Sequence, residues 1–145
     1  MRIKKSVITF AAVIMLTSST SAIVQASNDS KRVESEVVTP FYEYVSLVGA
    51  SISIGTLGKA VASGFVFYTG NYNSTLTIEL QRLNGSSWTT VKSWSESFTG
   101  KGQHSIEEEY YVTSGHTYRV LTIVAIKSGS TVLETASSTS AQVSY

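Results

Sequence analysis

Residues 75–83 read TLTIELQRL, and this stretch decides the fold class. Leu76, Ile78 and Leu80 alternate with polar side chains, so apolar and polar groups lie on opposite faces of an extended chain. Asn84–Gly85 follows directly, and this dipeptide is typical of a type I′ β-hairpin turn, whose two central residues both need a positive φ. The stretch therefore predicts a half-buried strand that ends in a hairpin.

Strand signals of the same kind continue through residues 41–145, with turns rich in Gly and Asn about every ten residues. No segment after residue 40 has the periodicity of a helix. Seven or eight short strands at this spacing predict an all-β fold, an antiparallel immunoglobulin-like β-sandwich, with a closed eight-stranded barrel as the alternative. The predicted strands are 41–54, 60–68, 75–83, 88–98, 106–112, 117–127 and 131–135, and 141–145 extends the last strand or adds an eighth.

The first 26 residues have the three parts of a secretory signal peptide. Met1–Lys5 carries positive charge, Val7–Leu16 is an almost unbroken apolar run, and Val24–Ala26 places small side chains before a cleavage point. The apolar run is shorter than the roughly 20 residues that cross a bilayer. We expect cleavage after Ala26, a secreted, extracellular protein and no membrane span in the mature chain. Cleavage after Ala22 and an uncleaved N-terminal anchor are the alternatives.

Cleavage after Ala26 leaves 119 of the 145 residues, which is the size of one domain. Residues 27–40 mix both charge signs with small polar side chains, so we expect a flexible tail before a single β-sandwich domain at 41–145. The mature chain has eight basic and ten acidic side chains, which argues against nucleic acid as a partner. The chain has no cysteine, which excludes disulfides, thiolate metal sites and cysteine nucleophiles.

The stretch YYVTSGHTYRV at residues 110–120 joins two predicted strands through a short corner that contains Gly115. Tyr118 lies just inside the second strand, and Val120 follows on the same face. This arrangement is typical of a tyrosine corner, in which the phenol hydroxyl bonds back to the backbone at the end of the sandwich. It is similar to the E-to-F corner of fibronectin type III and immunoglobulin-like domains.

Several stretches together resemble a group of small, exported, uncharacterised proteins of Gram-positive, Clostridium- and Bacillus-like bacteria. The resemblance covers about residues 42–145 and implies a bacterial extracellular protein with an immunoglobulin-like sandwich. The resemblance identifies no catalytic residue in this chain. The stretches are Gly58-Lys59-Ala60, Ala62-Ser63-Gly64, Leu80-Gln81-Arg82, Ser87 to Ser95, Tyr110-Tyr111-Val112, Ser114-Gly115 and Thr117 to Val120.

Two predicted strands, 60–68 and 117–127, are apolar on both faces. Since side chains alternate along a strand, burial of one face turns the other face outward. Either these are central strands whose outer residues are covered by neighbouring side chains or the tail, or their outer residues form an exposed apolar patch for a partner or a second copy. The partner-facing residues that the second interpretation predicts are Phe65, Phe67, Leu121 and Ile123.

Aromatic side chains are the other candidate ligand-binding groups. Trp88 and Trp94 are six residues apart, so a regular strand places both on one face, and Tyr72 precedes them in a loop. The three residues predict a flat surface on which sugar rings stack. In the alternative interpretation Trp94 belongs to the core and Trp88 covers the end of the sandwich.

Candidate reactive groups do not form a recognisable motif. His104 and His116 lie in predicted loops without metal-ligand spacing, and no nucleophile elbow is present. Glu107–Glu109 is the densest charge run, but Glu107 and Glu109 on one strand face stand about 7 Å apart on a wet surface. This favours a solvated edge over glycosidase chemistry or calcium binding. We therefore expect no enzymatic activity, no metal and no cofactor.

The expected function is a secreted, non-enzymatic binding or surface-interaction module for a cell-wall glycan or a protein. The density of aromatic residues without a reaction centre is the reason. The alternative is a small self-associating structural or bacteriocin-like secreted protein, and therefore a homo-oligomer, because two strands carry outward apolar residues.

Overall fold

A computed structural model of the protein describes residues 41–145. These residues form strands and no helix, in two antiparallel sheets rather than one closed sheet, which confirms the predicted all-β sandwich. The predicted signal peptide 1–26, its cleavage after Ala26 and the predicted tail 27–40 lie outside the described residues. The strands are β1 Leu47–Ile54, β2 Lys59–Tyr68, β3 Asn73–Asn84, β4 Ser87–Thr99, β5 Gly102–Tyr111, β6 Thr117–Ser128, β7 Thr131–Thr139 and β8 Val143–Ser144.

The strands divide into a three-stranded sheet and a five-stranded sheet. The first has the order β1-β2-β5; the second has the order β4-β3-β6-β7, and the short β8 pairs with β6. In immunoglobulin constant domains the fourth strand joins the sheet of the first strand. Here β4 pairs with β3 in the other sheet. The central strand of the three-stranded sheet is β2, and β6 lies between β3 and β7.

The β3–β4 hairpin differs in one detail from the prediction. Asn84 pairs with Ser87, so the two central turn residues are Gly85 and Ser86, and only Gly85 has a positive φ, of 64°. A positive φ at the first central position alone is the type II′ pattern, not the expected type I′. The hairpin itself is confirmed.

The inward faces of β2, β3 and β6 form the core. Alternate residues of β6 from Tyr118 to Ile126 are buried, and Ala62 and Val66 of β2 are buried opposite them. The predicted inward and outward faces of both strands are therefore confirmed. Gly64 lies at a close contact between the two sheets, because a Cβ there would overlap Ile78 and Thr122.

The corner before β6 is a tyrosine corner, as predicted. The buried Tyr118 hydroxyl donates a hydrogen bond to the carbonyl oxygen of Thr113 at 2.8 Å. This bond satisfies a backbone acceptor at the end of the sandwich, in the corner between β5 and β6.

The chain before β1 is not a strand, although 41–54 was predicted as one. The backbone N–H groups of residues 43–45 bind a side chain instead of a neighbouring strand. The Glu134 carboxylate of β7 accepts hydrogen bonds from the amides of Glu43, Tyr44 and Val45 at 2.7, 3.0 and 2.9 Å. The hydroxyl of Tyr42 accepts one from the Ser137 amide at 3.2 Å. The segment 42–45 therefore lies along the edge of β7.

Candidate functional site

Three side chains form an apolar patch on the outer face of the three-stranded sheet, namely Leu47, Phe65 and Phe67. Leu47 pairs directly with Phe67 across β1 and β2, and the two residues are 55% and 38% exposed. The Phe65 ring lies over Gly49, where a Cβ would overlap it. The strand register through Gly49 is regular, so the glycine provides space for the ring and causes no bulge.

Polar groups border this apolar patch on the side of β5. Gln103 lies directly opposite Phe67, and Ser105 lies opposite Phe65. An open recess of about 430 Å³ adjoins Phe67, and Lys101 contributes to its lining together with Thr69, Tyr68 and Gly102. Exposed rings next to an amide, a hydroxyl and an ammonium group are a combination that suits an amphipathic ligand.

The other end of the same face carries charged side chains. Serines at 51 and 63 separate the apolar patch from the carboxylates of Glu107 and Glu109. Lys59 Nζ lies 2.6 Å from Glu109 Oε1, and the hydrogen bond to this carboxylate raises the pKa of Lys59. Because the pair is exposed, it contributes little to stability. The outer face thus has an apolar end and a charged end.

The two tryptophans lie on opposite faces of the five-stranded sheet. Trp94 pairs with the buried Ile78 and packs edge-on against Tyr110, with ring centroids 6.4 Å apart, which places it on the inner face. Trp88 lies on the outer face beneath the guanidinium of Arg119, whose Cζ is 4.1 Å from the ring centroid. The prediction that both share one face is wrong.

A β-bulge in β4 causes this difference. Leu80 of β3 pairs with Lys92, whereas the next residue, Gln81, pairs with Thr90, so Val91 is an extra residue in β4. One extra residue inverts the alternation of side chains on either side of it. A spacing of six residues therefore no longer means a shared face.

Tyr72 is remote from both tryptophans. It precedes β3 and packs edge-on against Tyr44, with centroids 5.4 Å apart, while Trp88 pairs with Leu83 at the far end of β3. Eleven residues of extended chain span roughly 35 Å. Tyr72, Trp88 and Trp94 therefore do not form the predicted stacking surface, and Trp94 packs against the core as in the alternative interpretation.

The four predicted partner-facing residues also fall into two groups. Phe65 and Phe67 belong to the apolar patch on the three-stranded sheet. Leu121 and Ile123 lie on the outer face of the five-stranded sheet, half-buried between polar side chains of β3 and β7. The second pair thus fits the interpretation of a central strand covered by its neighbours. Binding by any of the four stays a prediction.

The histidines have structural contacts. His104 stacks on Phe98 with centroids 4.8 Å apart, and its Nε2 lies 2.8 Å from the carbonyl oxygen of Gly100. His116 packs edge-on against Tyr118. Within residues 41–145 no three His, Asp or Glu side chains are grouped to hold a metal ion. The same part of the chain has no helix of the length and hydropathy needed to cross a membrane.

A polar network surrounds Arg119, and the sequence did not predict it. It runs across the outer face of the five-stranded sheet from Trp88 through Arg119 and Gln81 to Glu79. The network depends on the β4 bulge, which brings Thr90 opposite Gln81 and turns Trp88 outward. No sequence signal marked this bulge, so no pattern of spacing pointed to the cluster.

The fold and the site define an antiparallel β-sandwich with a tyrosine corner and an exposed apolar patch on its smaller sheet. No protein-family model and no curated protein matches the chain. Among solved structures, it is similar to the solution structure of CsgH from R. palustris, at 9% sequence identity and a TM-score of 0.38. The match covers 65% of this chain and 89% of that chain. A match at this TM-score carries no conclusion about function.

Proposed function

We propose that the protein is a secreted, non-enzymatic surface-interaction module that binds its partner through the apolar patch. The observation that carries this proposal is the exposure of Leu47 and Phe67, adjacent on paired strands, beside the recess that Lys101 lines. Exposed apolar groups that are contiguous and bordered by polar groups are typical of binding sites. The signal-peptide pattern of residues 1–26 supports export.

A cell-wall glycan is the partner that the dimensions of the site favour. A stable protein complex buries about 800 Å² on each partner, and three apolar side chains supply only a part of that area. A sugar ring is smaller: it packs its C–H face on an aromatic ring and bonds its hydroxyls to neighbouring polar groups. Gln103, Ser105 and Lys101 are such groups, and they border Phe67 and Phe65.

Co-sedimentation of the mature chain with purified cell walls tests this proposal. We expect Phe67→Ser to raise the dissociation constant about tenfold, which corresponds to a loss of about 1.4 kcal/mol of binding free energy. Val132→Ser is the matched control, because Val132 is 52% exposed at the start of β7, on the other sheet. This control variant should bind like the wild type.

Two results would contradict the proposal. One is a wild-type chain that stays in the supernatant at every cell-wall concentration. The other is equal binding by Phe67→Ser and the wild type. Digestion of the glycan before the assay distinguishes the partner classes: binding that survives complete digestion points to a wall protein.

Self-association is a second candidate, and the edge strand β1 favours it. Its sequence, LVGASISI, has no charged residue and no proline, and among residues 41–145 β1 pairs only with β2. Edge strands usually carry charges or proline, which prevent pairing with another chain. We expect light scattering to show a dimer that Ser51→Lys converts to a monomer. A monomeric wild type at high concentration would exclude this candidate.

A further inference from the structure

The guanidinium of Arg119 is held in one orientation by two contacts. The Cζ atom of Arg119 lies 4.1 Å from the centroid of the Trp88 ring, which is the geometry of a cation–π contact. Its Nε donates a hydrogen bond to Gln81 Oε1 at 2.9 Å. Stacking fixes the position of the group, and the Nε bond fixes its rotation over the ring.

Gln81 is itself fixed in place. It is 7% exposed, and its Nε2 donates a hydrogen bond to Glu79 Oε2 at 3.0 Å. Thr90 Oγ1 donates to the same carboxylate oxygen at 2.9 Å. The carboxylate accepts from the amide nitrogen of Gln81, so the amide oxygen is turned toward Arg119. The chain of hydrogen bonds therefore defines the orientation of the guanidinium before any ligand binds.

Arg119 has no carboxylate partner among the described residues. The ion pair found in residues 41–145 is Lys59–Glu109, on the other sheet. Glu79 is connected to Arg119 only through Gln81. Burial of the guanidinium lowers the pKa of Arg119 from that of free arginine. A partly buried cation without a counter-ion is unfavourable, and an anion that pairs with it relieves this cost.

We propose that Arg119, stacked on Trp88 and oriented by Gln81, binds a carboxylate or phosphate group of an acidic polysaccharide. With Nε bonded to Gln81, the two terminal nitrogens of the guanidinium donate to the two oxygens of the anion in a bidentate pair. Trp88 excludes water from one face of the guanidinium and strengthens the pair. The site lies on the five-stranded sheet and is independent of the apolar patch.

Titration of the ¹⁵N-labelled mature chain, followed by NMR, tests the proposal. The probes are tetragalacturonate for a carboxylate, its neutral methyl ester, and inorganic phosphate. We expect saturable shifts of the Trp88 indole N–H and the Arg119 Nε–H signals with at least one anion. The methyl ester should cause none. The Trp94 indole N–H, on the opposite face of the sheet, serves as the internal reference.

Variants distinguish binding at this site from nonspecific electrostatic attraction of the anion. Arg119→Lys keeps the charge but loses the planar bidentate donor, and we expect about tenfold weaker binding. Arg119→Gln removes the charge and should abolish saturation. Arg82→Lys is the matched control, because Arg82 pairs with the inward-facing Tyr118 and so belongs to the opposite face of β3. It should bind like the wild type.

Three outcomes would overturn the proposal: shifts of the two indole signals that are equal in size, binding of Arg119→Lys at wild-type affinity, or equal shifts with the methyl ester. Saturation with tetragalacturonate alone assigns a carboxylate ligand, and saturation with phosphate alone assigns a phosphate ligand.

The spectrum of each variant shows directly whether it is folded, because a β-sandwich has widely dispersed amide signals. Loss of cell-wall binding in Phe67→Ser would leave this result unchanged.

Discussion

At the scale of single residues, Gly64 and Thr122 set how closely the two sheets approach. A Cβ at position 64 would overlap Ile78 Cγ2 and Thr122 Oγ1. The Thr122 hydroxyl is buried and has no hydrogen-bond partner within the part of the chain that the structure describes. This position of the core is thus tightly packed and contains a hydroxyl group whose burial no hydrogen bond offsets.

Gly64→Ala is expected to lower the free energy of unfolding by about 1–3 kcal/mol, because the added methyl group forces the sheets apart. Urea denaturation measures the change. Gly55→Ala is the control: a Cβ there meets only the Lys59 carbonyl oxygen, at 3.8 Å. Equal stability of the two variants would show that the sheets can separate at no cost.

Thr122→Val is expected to raise the free energy of unfolding by about 1 kcal/mol, since it replaces an unpaired buried hydroxyl with a methyl group of similar size. Thermal and urea denaturation both measure this effect. A decrease in stability would mean that the hydroxyl has a partner in solution, such as a buried water molecule.

At the scale of elements, the sequence pattern located the strands well and the irregular segments poorly. Turns and alternating side chains are local, so the bounds of β2, β3 and β6 were predicted to within two residues. The segment 42–45 was predicted as strand because it is rich in aromatic and β-branched residues, which favour strands. Its amides instead bind Glu134, about ninety residues later, and no local pattern contains that contact.

Glu134→Gln is expected to loosen this segment, because a neutral amide is a weaker acceptor for three backbone N–H groups than a carboxylate. We expect faster hydrogen exchange of the amides of Glu43, Tyr44 and Val45, and a loss of about 1–3 kcal/mol in the free energy of unfolding. Glu96→Gln, at an exposed position of β4, is the control. Unchanged exchange at the three amides would contradict the role assigned to Glu134.

At the scale of the whole molecule, the two outer faces differ in character. The three-stranded sheet carries the apolar patch of Leu47, Phe65 and Phe67, and the five-stranded sheet carries hydroxyl-rich rows together with Arg119. Hydroxyl pairs such as Thr77–Ser95, at 2.9 Å, cover its outer surface. A β-sandwich without disulfides depends on its core, and its outer faces are available for separate contacts.

A chain of residues 41–145 is expected to unfold with the same free energy as the chain 27–145, to within about 0.5 kcal/mol. The core, the tyrosine corner and the Glu134 hydrogen bonds all belong to residues 41–145. Urea denaturation of both chains checks this. A clearly less stable short chain would show that residues 27–40 pack on the sandwich and are not a flexible tail.

The sequence by itself determined the all-β class, the hairpin at Gly85, the inward faces of β2 and β6 and the corner at Tyr118. Each follows from alternation or turn chemistry within a few neighbouring residues. Only the tertiary structure decided which face Trp88 occupies and how far it lies from Tyr72. It also decided which outward residues form one patch and which group orients Arg119. The bulge in β4 and the pairing of distant strands set these features, and local sequence does not encode such long-range contacts.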